Sequence, residues 1–264
     1  MVQHQESLKK LYLKYSVNGK EKNVVLAENT LLRLVDNVPE KLIYTRVEGD
    51  KLTVCFEENG TAKGECQDKT KFSLKVENLP EPLDISNDWI VRFQKNRGAP
   101  DSIKLAKTQS LSESKIDGVK YFSGTMQYEK EIEIPSNYIK ENRKLILKFD
   151  EIYNIAEVEI NGKFVQTLWK YPYRCDITKY LKEGKNIIKI KVANLWVNRL
   201  IGDAHYPQES LQNWVVQGKT KSESKRFTSS DWTTAWRKTD KLFKSGIVGK
   251  VQIKPCDILP IKNN

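Results

Sequence analysis

Tight-turn dipeptides recur at short intervals along this chain and limit the folds that it can adopt. Asn18-Gly19, Asn59-Gly60, Asp117-Gly118, Asn161-Gly162 and Glu183-Gly184 are separated by short runs rich in Val, Ile, Tyr, Phe and Thr. An Asn-Gly pair fits a two-residue hairpin because both central residues of a type I′ turn need positive φ. This pattern, without long amphipathic helices, predicts an all-β sandwich or barrel.

The composition supports a folded protein. Of the 264 residues, 39% are hydrophobic, and six Trp, eleven Tyr and eight Phe provide material for a core. No apolar run approaches the roughly 20 residues that span a bilayer, so we expect no membrane partner. The start of the chain, MVQHQESLKKLYLKY, lacks the apolar region of a signal peptide.

The net charge of +11 raises the question of an acidic partner. Most of the excess is Lys spread singly along strands and turns, which favours a solvated surface over a binding patch. No segment has the spacing of a helix-turn-helix, a zinc finger or an RNP strand, so no specific nucleic acid is expected. Acidic polysaccharide remains an alternative partner for the basic surface.

The four cysteines do not form a CxxC pair, and the two histidines are far apart in the sequence. This spacing does not predict a zinc site. Cys55 and Cys66 flank a turn-rich segment and could face each other across a hairpin. A disulfide and a pair of buried free thiols are both compatible with this spacing.

Two domains are predicted. Residues 1–84 form a small antiparallel β domain of unknown role, which ends in a linker with Pro80 and Pro82, since proline cannot donate to a ladder. The larger sandwich is predicted at 85–257, followed by a tail at 258–264. Its expected strands are WIVRFQ, VKYFSGTMQYEKEIEI, KLILKF, AEVEING, KFVQTLW, YRCDI, NIIKIKVAN and GKVQIK, with one helical turn at 179–183 before NIIKIKV.

The order of motifs in the larger domain resembles a known family. The runs GVKYFSGTMQYEKEIEIP, LKFDEIYNIAEVEINGKFVQTLWKYPYRCDITKYLKEGKNIIKIKVANLWVNRLIGD and SGIVGKVQI are similar to the galactose-binding-like, sugar-binding jelly roll of family 2 glycoside hydrolases. They resemble still more closely the C-terminal module of bacterial family 106 α-L-rhamnosidases. The resemblance covers residues 88–254, whereas residues 1–84 resemble no family that we can name.

The resemblance implies a non-catalytic role for the chain by itself. In these enzymes the catalytic carboxylates lie on a (β/α)₈ barrel, which takes ≈ 250 residues and finds no room in this all-β pattern. The expected partners are therefore carbohydrate or the catalytic barrel of a parent enzyme. The resemblance also implies bacterial polysaccharide breakdown in the periplasm or outside the cell.

The first candidate site is the aromatic and basic stretch Trp169, Tyr171, Tyr173 and Arg174. Sugar rings stack their C–H faces on aromatic rings, and their hydroxyls take charged or amide partners. Alternatively, Trp169 and Tyr173 are core residues at a strand end, with Arg174 packed over them.

A second cluster contains Trp196, Asn198, Arg199 and Asp203. The spacing of Arg199 and Asp203 predicts a structural network that fixes the exit from the preceding strand. Orientation of a sugar is the alternative role for these residues.

The third cluster, Trp232, Trp236 and Arg237, lies in the long segment 200–245. Segments this long inside a compact domain are usually functional or disordered, and the tryptophans favour order. By resemblance, these residues face the active site of a parent enzyme; docking onto the sandwich is the alternative.

No cofactor and no catalytic residue is predicted. Galactose-binding-like jelly rolls often hold a structural calcium, and Asp150, Glu151 and Asn154 are the nearest grouping of oxygen ligands. The sequence thus favours a non-catalytic, carbohydrate-associated part of a rhamnosidase-like glycoside hydrolase. The alternatives are a free-standing binding protein for acidic glycans, a purely structural module and, more weakly, a nucleic-acid-binding protein.

Overall fold

The computed structural model describes residues 10–17, 20–27, 43–48, 51–66, 69, 71–206 and 236–261. Contacts divide the chain into two compact units, residues 1–42 and 43–264. In the first unit, strands β1 (Lys10–Val17) and β2 (Lys20–Ala27) form an antiparallel hairpin in which Val17 pairs with Lys20. Two residues therefore connect the strands, as predicted, although Asn18-Gly19 itself lies outside the described residues.

The second unit is the predicted all-β sandwich, built from two large antiparallel sheets. The first sheet has the spatial order β13-β12-β15-β10-β8-β9. Its strands are β8 (Asn87–Phe93), β9 (Ser102–Lys107), β10 (Thr125–Ile134), β12 (Ile155–Ile160), β13 (Lys163–Leu168) and β15 (Gly184–Ala193).

The second sheet has the order β14-β11-β16-β4-β3, and the short strand β7 also pairs with β16. Its strands are β3 (Ile43–Glu48), β4 (Lys51–Phe56), β7 (Leu83–Asp84), β11 (Arg143–Tyr153), β14 (Arg174–Asp176) and β16 (Gly246–Pro260). A separate hairpin joins β5 (Gly60–Glu65) and β6 (Lys71–Val76), and the two short helices are α1 (Asp117–Lys120) and α2 (Val197–Asp203).

The main core lies between the two large sheets. Alternate residues of each strand point inward, because successive side chains of a strand lie on opposite faces. Trp89 and Tyr128 from the first sheet and Leu147, Phe149 and Val251 from the second are all fully buried in it. The opposite face of the first sheet is solvated, with charged partners such as Glu129 opposite Lys189.

A second, smaller core lies beside the main one. Val54 and Phe56 of β4 pack there with Val76 of β6 and with Leu79 and Ile261. β16 contributes to both cores, since it pairs with β11 along its first part and with β4 along its last part.

The compact units and this pairing differ from the predicted domain bounds, which stay a prediction. We predicted a boundary at about residue 84, but residues from Ile43 onward belong to the same compact unit as the sandwich. The predicted tail at 258–264 is part of the sheet as far as Pro260, because Ile258 pairs with Cys55 on β4. Nothing in the turn pattern indicated that the last strand would continue past the main core.

Several local predictions are confirmed and others corrected. Asn161 and Gly162 have φ of 51° and 77° and connect β12 to β13, as a type I′ hairpin requires. The helical turn is a 3₁₀ turn at Thr178–Tyr180, one residue earlier than predicted and shorter. Asp117-Gly118 opens α1 instead of a hairpin, and the strand predicted from Val119 begins only at Thr125.

None of the four cysteines, all of which lie in the described part of the chain, forms a disulfide. Cys55 is fully buried against Cys256 and Ile258 on one face of β4, whereas Cys66 packs at the edge of the small core. No disulfide joins Cys55 and Cys66, and they do not face each other across a hairpin, because β4 and β5 lie in different sheets. None of the helices among the described residues is long and apolar enough to cross a membrane.

Candidate functional site

The register of the strands brings the described members of the three predicted clusters to one end of the sandwich. Leu168 at the end of β13 pairs with Ala156 beside the start of β12, and Ile155 pairs with Ala193 at the end of β15. Tyr153 at the end of β11 pairs with Gly246, where β16 begins. We call this the loop end, formed by residues 94–101, 169–173, 194–206 and 236–245.

The four residues of the first cluster differ in exposure and in their contacts. Trp169 and Tyr171 are 65% and 58% exposed in the loop between β13 and β14. Tyr173 is half-buried against the main core and meets the Tyr171 ring edge-on at 6.3 Å between centroids. Arg174 lies on β14, where Nη1 donates to Oε1 of the buried Glu57 side chain at 3.4 Å. Trp169 and Tyr171 are thus open to solvent, whereas Tyr173 and Arg174 make contacts within the fold.

The buried part of the second cluster holds α2 in place. The Asn198 side chain receives a hydrogen bond from the Phe243 N–H and donates one to the Phe243 carbonyl, both at 2.8 Å. Nη1 of Arg199 lies 3.6 Å from Oδ1 of Asp203, and both side chains are buried. Burial lowers the pKa of the Arg199 guanidinium, and the neighbouring Asp203 carboxylate partly offsets this effect.

Trp196 of the same cluster points outward, with 52% of its surface exposed. The guanidinium carbon of Arg97, in the loop between β8 and β9, lies 5.5 Å from the centroid of the Trp196 ring. This distance is typical of a cation–π contact. Arg97 was missed in the sequence, where it stands in the run QKNRGAP without a helical or strand periodicity that would mark it.

Two residues of the third cluster lie within the described residues. The Trp236 ring packs edge-on against Phe243 at 5.8 Å between centroids, so this tryptophan docks on the loop end. The backbone N–H of Arg237 donates to the Asp240 carboxylate at 2.7 Å, and the Arg237 side chain is exposed. Trp232 lies outside the described residues.

Asn194 links three loops at this end. Its side-chain oxygen accepts from the Gly124 N–H at 2.9 Å, while its nitrogen donates to the Phe122 carbonyl at 2.8 Å and to Ser245 Oγ at 2.7 Å. Two of these contacts come from the segment before β10 and the third from the residue before β16, so one side chain fixes where β15 ends relative to the start of β10 and of β16. The exposed Trp196 follows this fixed point by two residues.

The grouping considered for calcium is occupied by other contacts. The Lys250 N–H donates to Asp150 Oδ2 at 2.7 Å, and the Lys244 ammonium donates to Glu151 Oε2 at 2.8 Å. The hydrogen bond to Glu151 raises the pKa of Lys244. No group of three or more His, Cys, Asp or Glu side chains in the described part of the chain is arranged to hold a metal. These contacts do not favour a calcium ion at Asp150 and Glu151, and calcium stays a prediction.

Residues 108–249, which are more than half of the chain, match the model of the glycosyl hydrolase 2 galactose-binding domain-like family. The chain belongs to this family. The galactose-binding-like domain therefore includes the strands from β10 to the start of β16 and all three predicted clusters.

Relatives of this galactose-binding-like chain are much longer proteins. A Formosa agariphila protein named "Putative beta-glucuronidase" is 37% identical over 191 residues, which are 69% of this chain and 16% of that protein. A solved rhamnosidase from Novosphingobium sp. PP1Y matches 96% of this chain and 24% of its own, with a TM-score of 0.56 and 23% identity. A beta-glucuronidase from an uncultured Clostridium sp. matches 69% of this chain with a TM-score of 0.45 and 16% identity. The rhamnosidase supports the fold, and the chain spans a quarter or less of the first two relatives.

Proposed function

We propose that this chain is the non-catalytic, carbohydrate-associated portion of a rhamnosidase-like glycoside hydrolase, and that its loop end faces carbohydrate. The observation that carries the proposal is that the exposed rings of Trp169, Tyr171 and Trp196 all lie at the same end of a galactose-binding-like sandwich. Aromatic rings in this setting suit the apolar faces of sugars. The proposal includes a periplasmic or extracellular location and a role in polysaccharide breakdown.

Three acids at or beside the loop end make contacts within the fold, which supports a non-catalytic role. Glycoside hydrolysis needs two carboxyl groups about 5–9.5 Å apart that flank the scissile bond. Glu151 is hydrogen-bonded to Lys244, Asp203 is buried beside Arg199, and Asp240 caps a backbone N–H. Each of these carboxylates is engaged in holding a loop. We therefore expect the catalytic pair to come from the barrel of a parent enzyme, which is the second proposed partner.

A free-standing binding protein for acidic glycans is the second candidate function. Exposed or half-exposed basic side chains accompany the aromatic rings of the loop end: Arg97, Lys170, Arg237 and Lys238. The name of the Formosa relative refers to glucuronides, which are acidic sugars. Binding that weakens with salt would favour this candidate, because exposed charge interactions are screened.

The test combines an activity assay with glycan binding. The purified chain is incubated with an aryl β-D-glucuronide and an aryl α-L-rhamnoside, and it is applied to a glycan array at two salt concentrations. We expect no turnover, and binding that is lost in Trp169→Ala together with Tyr171→Ala. Phe164→Ala is the matched control, because Phe164 is 60% exposed beside the Asn161-Gly162 turn at the other end of the sandwich. Turnover by the chain would overturn the non-catalytic role, and the absence of any glycan binding would leave a scaffold role.

A further inference from the structure

Trp196 is an exposed aromatic ring on an unusually well-fixed stretch of backbone. Two residues before it, Asn194 makes hydrogen bonds to Gly124, Phe122 and Ser245. Two residues after it, the Asn198 side chain is bonded twice to the Phe243 backbone. An exposed ring on a backbone that is held on both sides loses little conformational freedom when a ligand stacks on it.

Arg97 is brought to this ring by a close approach of two glycines. A Cβ atom on Gly118 of α1 would lie 1.9 Å from the Gly98 carbonyl oxygen, so α1 and the loop carrying Arg97 touch backbone to backbone. The same loop is closed at its base by the hydrogen bond from the Phe93 N–H to the Asp101 carbonyl at 3.1 Å. The position of Arg97 is therefore set by the fold rather than by its long side chain alone.

The chemistry of this pair differs from that of the other exposed tryptophan. The Lys170 ammonium lies 5.2 Å from the Trp169 ring centroid, but lysine presents a compact charge on a flexible stem. A guanidinium that stacks on a ring keeps its N–H donors in its own plane, and these donors match the two oxygens of a carboxylate. An exposed indole beside such a fork suits a sugar ring that carries a carboxylate.

We propose that Trp196 and Arg97 form a subsite for a uronic acid residue, with the pyranose ring on the indole and the carboxylate on the guanidinium. The subsite rests on the proposed function and adds its ligand class and a pair of residues that lie outside the first predicted cluster. It also separates two roles within the loop end. Trp169 and Tyr171 contact sugar in general, whereas Arg97 distinguishes a uronate from its neutral counterpart.

The test uses isothermal titration calorimetry with short oligomers of glucuronic, galacturonic, mannuronic and guluronic acid, each paired with its carboxyl-reduced neutral counterpart. We expect the wild-type chain to prefer at least one uronate over its counterpart by about tenfold, the size of one charge-assisted contact. Arg97→Ala should remove the preference and keep the neutral binding, and Arg97→Lys should lie between. Trp196→Ala should weaken the binding of both the uronate and the neutral oligomers by about tenfold, and Phe164→Ala should change the binding of neither kind of oligomer.

The outcomes separate the subsite from the proposed function. Glycan binding that is lost in Trp169→Ala but unchanged in Arg97→Ala and Trp196→Ala would keep the proposed function and overturn the subsite. A wild-type chain that binds neutral and acidic oligomers equally would also overturn it. A chain that binds no oligomer would overturn both. Circular dichroism of each variant verifies that loss of binding is not loss of folding.

Discussion

Asp257 accepts two hydrogen bonds from Arg143, from Nε at 2.5 Å and from Nη2 at 2.9 Å, where both side chains are almost fully buried. Arg143 begins β11, and its Nη1 donates to the Asn137 carbonyl. Asp257 lies on β16 between Ile253 in the main core and Leu259 against the small core. The pair thus lies at the junction of the two cores, and its fork geometry fixes one orientation there.

Replacing the carboxylate tests how much this junction depends on charge pairing. Asp257→Asn leaves the Arg143 guanidinium buried without its counter-charge, so we expect the free energy of unfolding to fall by about 3–5 kcal/mol. Urea denaturation measures the change. Glu131→Gln is the control, since it removes only an exposed ion pair with Lys185 and should leave the free energy of unfolding nearly unchanged. An Asp257→Asn protein as stable as the control would show that the junction does not need the charge.

Local features of the fold could be predicted from the sequence, and the junction could not. The Asn161-Gly162 hairpin was predictable because positive φ at both positions is a property of those two residues. Arg143 and Asp257 are 114 residues apart, and the alternation of their strands shows only that each faces inward. Which inward residue meets which depends on the strand order, and the turn pattern does not determine that order. For the same reason, the predicted boundary at residue 84 differs from the compact units.

At the candidate site, even the burial of residues close together in the sequence could not be predicted. Trp196 and Asn198 are two residues apart, yet the first is exposed and the second is buried. The difference arises because α2 begins between them, and a helix this short leaves no periodic pattern in the sequence. Arg97 could be assigned to the site only after the register had placed the loop after β8 beside the end of β15. That the described members of the three clusters lie at one end of the sandwich likewise depends on strand register, although these residues were identifiable as candidates.

Asn186 tests how a single buried amide holds the end of the sandwich opposite the loop end. Its nitrogen donates to the carbonyls of Lys182 and Gly184 at 2.7 and 2.8 Å, and its oxygen accepts from the Lys182 N–H and from Asn161 Nδ2. Asn186→Ala should lower the free energy of unfolding by about 1–3 kcal/mol, because it removes four hydrogen bonds of a buried amide and leaves part-buried backbone groups without these partners. Gln166→Ala, an exposed change on β13, is the control in the same urea experiment. Equal midpoints for the two variants would contradict the prediction.

Gly118→Ala tests the close approach of α1 to the loop that carries Arg97. A Cβ 1.9 Å from the Gly98 carbonyl oxygen cannot be accommodated by a side-chain rotation, so the two backbones must separate. We expect a loss of about 1–3 kcal/mol in thermal or urea unfolding, as for other overpacked sites. Asp117→Ala, an exposed neighbour on the same helix, should stay within about 0.5 kcal/mol of the wild type. A Gly118→Ala protein with wild-type stability would show that this contact is easily relaxed.

Ionisation of the Asp84 carboxyl should make the stability of the protein depend on pH in the acid range. Hydrogen bonds from the Ser86 hydroxyl and N–H lower the pKa of Asp84 below its ordinary value of 3.8. A folded-state pKa below the unfolded value contributes stability above the unfolded pKa, and that contribution is lost as the pH falls through the folded pKa. The melting temperatures of wild type and Asp84→Asn should therefore differ at pH 6, and this difference should shrink as the pH falls below the ordinary pKa of 3.8. A difference that is constant with pH would mean that the Asp84 charge is not involved.

The four thiols should differ in reactivity because they differ in burial. Cys55, Cys175 and Cys256 are buried, whereas Cys66 is half-exposed. Burial also raises the pKa of Cys175 to about 12, so this thiol stays protonated and unreactive at pH 8. An aromatic disulfide reagent should label one thiol rapidly in the native protein and all four in denaturant. Cys66→Ser should abolish the rapid phase of labelling. A rapid phase that survives in this variant would contradict the arrangement of the cysteines described above. Labelling of fewer than four thiols of the wild type in denaturant would also contradict it.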